Sequence, residues 1–255
     1  MLKKRLIFIL FFQDGYFHLS RNFTLQKVGD ASWLIDKFKF KSIGDYIDEL
    51  VILDVSRNRN NDNLSLINES VEKVMRGTFV PLSIGGGILN INDAASLFNI
   101  GADKIILNTT LIENSNFVRD LITTYGSQAV VGSIDYKRVG DDYFSFIKNG
   151  SQKSLLLNEA ILNAENLGVG EIIINSIDKD GTGMGFDNSI IDSFPELQIP
   201  IIISGGAGKP DHFIEALNKS NISAVGTGNL FNFIGDGFER SRIFISDNFE
   251  LARKI

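Results

Sequence analysis

Two stretches that read almost alike decide the fold: VPLSIGGG at residues 80–87 and IPIIISGG at residues 199–206. Each is a short, nearly continuous apolar run ending in glycines. That is the pattern of a strand buried on both faces of a parallel sheet, not the alternation of a half-wetted one. Pro81 and Pro200 stand 119 positions apart, and the register holds without a gap through Asn108 and Thr227, at the ends of the next apolar runs. ELVILDV from Glu49 and EIIINSI from Glu171 repeat the likeness at a step of 122.

Outward from these stretches, runs of the same kind recur along the chain. They are LIFILFF from Leu6, ELVILDV from Glu49, VPLSI from Val80, KIILN from Lys104, AVVGSID from Ala129, EIIIN from Glu171, IPIIIS from Ile199 and ISAVG from Ile222, eight in all. Segments with helical spacing lie between them, as at residues 92–99 and 211–219. Eight strand-and-helix units in 255 residues predict an α/β chain folded as a (β/α)8 barrel, with a doubly wound open sheet as the alternative. The repeat favours the barrel, because half of a closed barrel exposes sheet edges that the other half must cover. No low-complexity linker separates the halves, so residues 1–255 are expected to form a single barrel domain by duplication.

Composition narrows the chemistry. With no cysteine, disulfides, thiolate zinc sites, iron–sulfur clusters and cysteine nucleophiles are excluded, and two histidines, His18 and His212, argue against a multi-histidine metal centre. No metal or cofactor is expected. A formal charge of -6 and a pI near 5.0 argue against nucleic-acid binding, which needs a basic face. No apolar run approaches the ~20 residues of a membrane span. The opening MLKKRLIFILFF is followed by Gln13, Asp14 and Gly15 rather than by a small-residue cleavage site, so a soluble cytoplasmic chain is expected.

In a (β/α)8 barrel the active site lies at the carboxyl ends of the strands. Gly85, Gly86 and Gly87 follow the third apolar run, and Ser204, Gly205, Gly206, Ala207 and Gly208 follow the seventh. Asn108, Thr109 and Thr110 follow the fourth, and Gly226, Thr227, Gly228 and Asn229 the eighth. Glycines there free backbone N–H groups to face an anion, and small donors ahead of a helix do the same. The paired clusters predict two phosphate sites on opposite sides of the mouth, bridged by a substrate phosphorylated at both ends. Tight strand-to-helix turns are the alternative reading. Asp135 ends the fifth run, Asp54 the second, and Asp178 and Asp180 follow the sixth. Asp135 is the candidate for proton transfer, whereas Asp54 is left open between chemistry and helix capping. At the opposite ends, Arg5, Glu49, Lys104 and Glu171 each stand immediately before an apolar run, two positive and two negative charges that could form a ring on the barrel floor, as a structural plug or as a gate.

The motifs MLKKR, DELVILDV, PLSIGGGI, GADKIILN, GSQAVVGSIDYKRVGD, SIDKDGT and IIISGGAG followed by PDHF resemble those of the cyclase subunit of imidazole glycerol phosphate synthase, HisF, over nearly the whole chain. The resemblance implies a barrel that takes ammonia from a HisH-like glutaminase docked on its floor and delivers it to a bisphosphorylated substrate at the mouth. It implies that Arg5, Glu49, Lys104 and Glu171 are the gate of the ammonia channel and that Asp103 is a docking contact. It assigns Gly86, Gly87, Asn108 and Thr109 to one phosphate site, and Thr182, Gly205, Gly206, Gly228 and Asn229 to the other.

The cyclase of that family uses two aspartates, at the ends of the first and fifth strands. Asp135 matches the second, but where the family reads CLDV this chain reads Ile9, Leu10, Phe11 and Phe12, so that Phe11 stands in the place of an acid. The repeat independently sets Phe11 opposite Asp135, and Leu19 occupies the place of the lysine that closes over substrate in the family, with Arg21 nearby. An intact floor with an altered mouth resembles the branch of the family found with surface-sugar biosynthesis. There a barrel of this kind and a glutaminase supply ammonia to a separate sugar amidotransferase that converts an acetamido group to an acetamidino group. The histidine-pathway cyclase and a non-catalytic phosphosugar-binding scaffold are the alternatives. Isomerisation of a bisphosphorylated aminoaldose also needs an acid at the Phe11 position.

Overall fold

The computed structural model describes residues 3–38, 40–56, 61–229 and 233–251. In chain order the strands are β1 (Arg5–Gln13), β2 (Tyr16–Arg21), β3 (Thr24–Gly29), β4 (Glu49–Asp54), β5 (Leu82–Gly85), β6 (Lys104–Leu107), β7 (Val130–Val139), β8 (Asp142–Ile147), β9 (Gln152–Leu156), β10 (Glu171–Ser176), β11 (Ile201–Ser204) and β12 (Ile222–Thr227). The helices are α1 (Ala31–Phe38), α2 (Phe40–Tyr46), α3 (Asn61–Met75), α4 (Ile91–Asn99), α5 (Thr109–Glu113), α6 (Ser115–Tyr125), α7 (Leu157–Leu167), α8 (Asn188–Ile191), α9 (Pro210–Leu217) and α10 (Gly237–Ser246). Eight parallel strands pair in the order β10-β11-β12-β1-β4-β5-β6-β7, and β10 pairs back onto β7, closing a (β/α)8 barrel. All eight apolar runs of the sequence are barrel strands.

The runs are continuous because each strand serves two cores. Along β1, Leu6, Phe8, Leu10 and Phe12 join the outer core beneath the helices, whereas Ile7, Ile9 and Phe11 join a separate inner cluster with Val51, Leu53, Ile106, Val131, Ile173, Ile202 and Ala224. Helix starts follow local chemistry. Asn90 caps α4 in a capping box with Asp93, and Pro210 opens α9, where its missing N–H costs nothing.

The duplication is visible in the register. Phe11 pairs with Leu53 and Phe12 with Asp54 across β1 and β4, and Asp135 pairs with Asn175 and Tyr136 with Ser176 across β7 and β10. The first strand of each half also runs on into an antiparallel hairpin, β2–β3 from β1 and β8–β9 from β7, so the sheet has twelve strands, not eight. A local signal marked the first excursion: Asp14 and Gly15 both take positive φ, +51° and +83°, which suits a two-residue hairpin turn.

The two glycine turns have a duplicated steric cause. A Cβ at Gly86 would stand 2.0 Å from the Asp54 carbonyl oxygen, and one at Gly205 would stand 2.5 Å from that of Ser176, with φ of +109° and +87°. These glycines are required by the fold as well as suited to a ligand. Among the described residues, no helix is long and apolar enough to cross a membrane.

Candidate functional site

The floor carries a closed ring of charge. Arg5 Nη2 lies 2.6 Å from Glu171 Oε2 and Arg5 Nη1 lies 3.3 Å from Glu49 Oε2; Lys104 Nζ completes the circuit at 3.0 Å from Glu49 Oε2 and 2.5 Å from Glu171 Oε1. The Ser83 hydroxyl donates to the other oxygen of Glu49. The two carboxylates are buried, while Arg5 and Lys104 keep about a fifth of their side-chain surface accessible. Burial opposes charge on Arg5, but attraction to Glu171 and Glu49 outweighs it and raises its pKa. Lys104 is raised the same way against its burial, by Glu49 and Glu171. Burial pushes Glu171 up, yet Arg5 and Lys104 hold it below its ordinary value. Arg5, Lys104 and Glu171 are therefore held in their charged forms. Asp103 is exposed beside Lys104, and its Oδ2 accepts from the Leu82 amide at 2.8 Å.

A second pair braces the ring. Arg242 on α10 is fully buried against the Asp48 carboxylate, which also accepts from the Leu6 amide at 2.8 Å. Asp48 and Leu6 are the chain neighbours of Glu49 and Arg5. Above the ring lies the apolar inner cluster, and above that the mouth.

At the mouth, Asp135 Oδ1 accepts from Asn175 Nδ2 at 2.9 Å and Oδ2 from Asn108 Nδ2 at 3.2 Å. Burial pushes the Asp135 carboxyl up to about 7, against the Asn175 hydrogen bond that lowers it and with Asp180 adding repulsion. The residue is half-buried, its two oxygens held by Asn175 and Asn108. At the equivalent register position Phe11 carries no proton, and its ring lies against Gly228.

The remaining residues singled out from the sequence divide. Asn108 spends its amide on Asp135 and on the Ser133 carbonyl at 3.1 Å, and Thr109 Oγ1 accepts from the Lys148 amide at the tip of the β8–β9 hairpin at 3.0 Å. On the other side, Thr182 and Asn229 line an open cavity of about 640 Å³ beneath the β2–β3 hairpin. Gly206 packs against Gly185, its carbonyl accepting from the Gly185 amide at 2.8 Å. Asp54 Oδ1 accepts from the Ser56 amide at 3.0 Å, a turn contact within its own loop. Asp178 accepts from the Arg138 amide at 3.0 Å. Asp180 is buried and holds the hairpin, accepting from Ser20 Oγ at 2.5 Å and the Phe23 amide at 3.1 Å. Three residues escaped the sequence reading: Ser83, Asn175 and Arg242. Asn175 was legible through the repeat, as the residue next to Asp135 in the register; Arg242, on a C-terminal helix, gave no local signal. Among the described residues, no group of three or more His, Asp or Glu side chains could hold a metal ion.

A duplicated (β/α)8 barrel with a charged floor, an apolar interior and a glycine-turned mouth around Asp135 is the class these features define. The sequence model of the family described as "Histidine biosynthesis protein" matches residues 27–235. The chain is 43% identical over 246 residues to the putative imidazole glycerol phosphate synthase subunit hisF2 of Parasynechococcus marenigrum, covering 95% of this chain and 90% of that one. It is 39% identical over 236 residues to the imidazole glycerol phosphate synthase subunit HisF of a Thermotoga species (91% and 90% covered), and 34% over 249 residues to that of Chlorobium phaeovibrioides (97% of each). The chain belongs to the HisF family.

Proposed function

We propose that this chain is a HisF-like synthase subunit that receives ammonia from a HisH-like glutaminase on its floor, through the ring of Arg5, Glu49, Lys104 and Glu171, and passes it along the barrel axis. The ammonia serves amidine formation on an acetamido group of a surface-polysaccharide sugar, completed with a separate sugar amidotransferase. Asp103, exposed beside the ring, is a docking contact. Overall, the ammonia nitrogen replaces the amide oxygen of the acetamido group, which leaves as water.

The observation that carries this reading is the combination of a complete floor with Phe11 at the mouth position equivalent to Asp135. An apolar interior favours neutral ammonia over ammonium, since moving an unpaired ammonium into apolar surroundings is strongly unfavourable. A ring of charges adds little net stability because desolvation offsets most of its attraction, so stability alone is a weak reason for it. With Phe11 at the position equivalent to Asp135, the acid paired with it by the repeat is missing, whereas Asp135, poised near neutral pH, can still give or take a single proton. On this reading Gly86, Gly87, Asn108 and Thr109 on one side, and Thr182, Gly205, Gly206, Gly228 and Asn229 on the other, would bind a phosphorylated small molecule, a role consistent with the glycine turns at the mouth.

A second reading, the histidine-pathway cyclase, is favoured by the names of the relatives, which are those of imidazole glycerol phosphate synthase subunits. The two separate in one experiment. The chain is mixed with its glutaminase and [amide-15N]glutamine, and the label is followed into acetamido sugars by mass spectrometry with the amidotransferase present. The proposal expects 15N in an amidine, and expects Lys104→Ala to leave glutamine hydrolysis running while that incorporation falls. Label appearing in imidazole glycerol phosphate instead supports the cyclase.

A further inference from the structure

We propose that His18 is the acceptor that meets ammonia at the mouth, its Nε2 taking a hydrogen bond from the nitrogen as it leaves the apolar interior. The assignment rests on the conduit reading above and adds to it a residue which that reading does not use.

Three observations set the imidazole on the inner face of β2. His18 stands directly opposite Phe11 across β1 and β2, and opposite residues of an antiparallel pair carry their side chains on the same face. Phe11 belongs to the inner cluster, so His18 shares the face that caps the interior. The neighbours of His18 on the strand, Phe17 and Leu19, pack with the outer core instead, as alternation requires. Two residues on, Ser20 shares the face of His18, and its hydroxyl donates to Asp180. Asp180 is the acid whose charge adds to burial in raising the Asp135 carboxyl. One face of β2 thus joins the cap of the interior to the acids of the mouth, and His18 stands on it.

The Tyr16 carbonyl decides which ring nitrogen is available. It lies 3.1 Å from His18 Nδ1, and a carbonyl can only accept, so Nδ1 carries the proton and Nε2 of the neutral ring keeps its lone pair. Among the described residues, no hydrogen bond engages Nε2. Burial holds His18 below its ordinary value, and Lys27 on β3 acts in the same sense, against the Tyr16 carbonyl and Asp14 at the turn. The neutral ring therefore predominates at neutral pH. Ammonia finds no hydrogen-bond partner in an apolar passage, so an acceptor at the exit draws it out. A neutral imidazole does this without giving up a proton. An imidazolium would instead lose its Nε2 proton to ammonia and leave ammonium, which has no lone pair with which to form a bond to carbon.

Nitrogen NMR of the whole chain, carrying 15N-labelled histidine, tests the tautomer. The chain has two histidines, and His212 Nδ1 accepts from the Gly208 amide at 3.1 Å, so the two rings should show opposite neutral tautomers. His18→Gln should remove the ring with its proton on Nδ1; an Nε2–H tautomer at His18 overturns the proposal. The second measurement is amidine formed per glutamine hydrolysed, with the glutaminase and amidotransferase present and circular dichroism confirming the fold of each variant. His18→Leu should lower that ratio about five- to tenfold while hydrolysis continues, and His18→Gln, whose amide oxygen also accepts, should recover part of it. The wild-type ratio should fall as pH drops below 6.5, and that of His18→Leu should fall less steeply. An unchanged ratio in His18→Leu overturns the role of His18 and leaves the conduit standing. Wild type that forms no amidine overturns the conduit, and His18 with it.

Discussion

The ring of Phe11 rests on the backbone of Gly228, so closely that a Cβ on the glycine would come within 2.8 Å of the Phe11 Cε2 atom. Phe11 also packs against the inner cluster, so the side chain that removes an acid from the mouth caps the apolar interior below it. Gly228→Ala should cost about 1–3 kcal/mol of stability through overpacking. The same substitution in a Phe11→Leu background should cost less, because the smaller side chain can give way. Urea denaturation of the four proteins measures the coupling, and equal costs in both backgrounds contradict the contact.

The glycine turns offer a sharper contrast. Gly86→Ala would drive a Cβ into the Asp54 carbonyl at positive φ, whereas Gly77, with φ of +83°, has nothing within 4 Å of its added Cβ. Gly77→Ala should therefore cost about 1–2 kcal/mol from backbone conformation alone. Gly86→Ala should cost more, about 3 kcal/mol or above. Similar melting temperatures for the two variants would show that the close approach at Gly86 is relaxed in solution.

Stability should depend on pH in opposite senses at the two ends of the barrel. Glu171 is held below its ordinary value of 4.5, so the stability it contributes is present above that value and lost as pH falls below it. Asp135 is raised from 3.8 to about 7, so the folded state holds its proton where the unfolded chain has released it. Its contribution is full below pH 3.8 and declines as pH rises towards 7. Denaturation across pH 4–8 should show that decline in wild type and a flatter profile in Asp135→Asn. An identical slope in both proteins contradicts the raised pKa.

Arg242 and Asp48 form a buried ion pair, and removing one charge leaves the other buried without this counter-charge. Arg242→Met should cost about 3–5 kcal/mol, and Arg242→Met with Asp48→Asn should cost less than the sum of the singles. Additive losses in a double-mutant cycle would show that the two side chains do not act together.

The barrel was legible because each strand must be apolar on both faces, which leaves continuous runs such as ELVILDV, and because the repeat of GGG and SGG fixed where the halves begin. The floor charges were legible for the same reason, since Arg5, Glu49, Lys104 and Glu171 each stand immediately before an apolar run, at equivalent ends of the strands. The hairpins were not, although Asp14 and Gly15 carried the turn signal. Their strands are half exposed and lack the long apolar pattern, as in TLQKVG of β3. Nor could spacing show that Asn108 turns its amide to Asp135, or that Asp180 anchors the hairpin, because those partners meet across 27 and 160 residues of chain.

The central claim is a conduit without cyclase chemistry, and turnover of the purified chain on the bisphosphorylated substrate of imidazole glycerol phosphate synthase, with saturating ammonium salt, tests it most directly. With Phe11 in the place of one acid, the account predicts a rate on the order of 10²–10⁴ below that of a HisF cyclase assayed alongside. Imidazole glycerol phosphate formed at the rate of that cyclase would contradict it and return the chain to histidine biosynthesis.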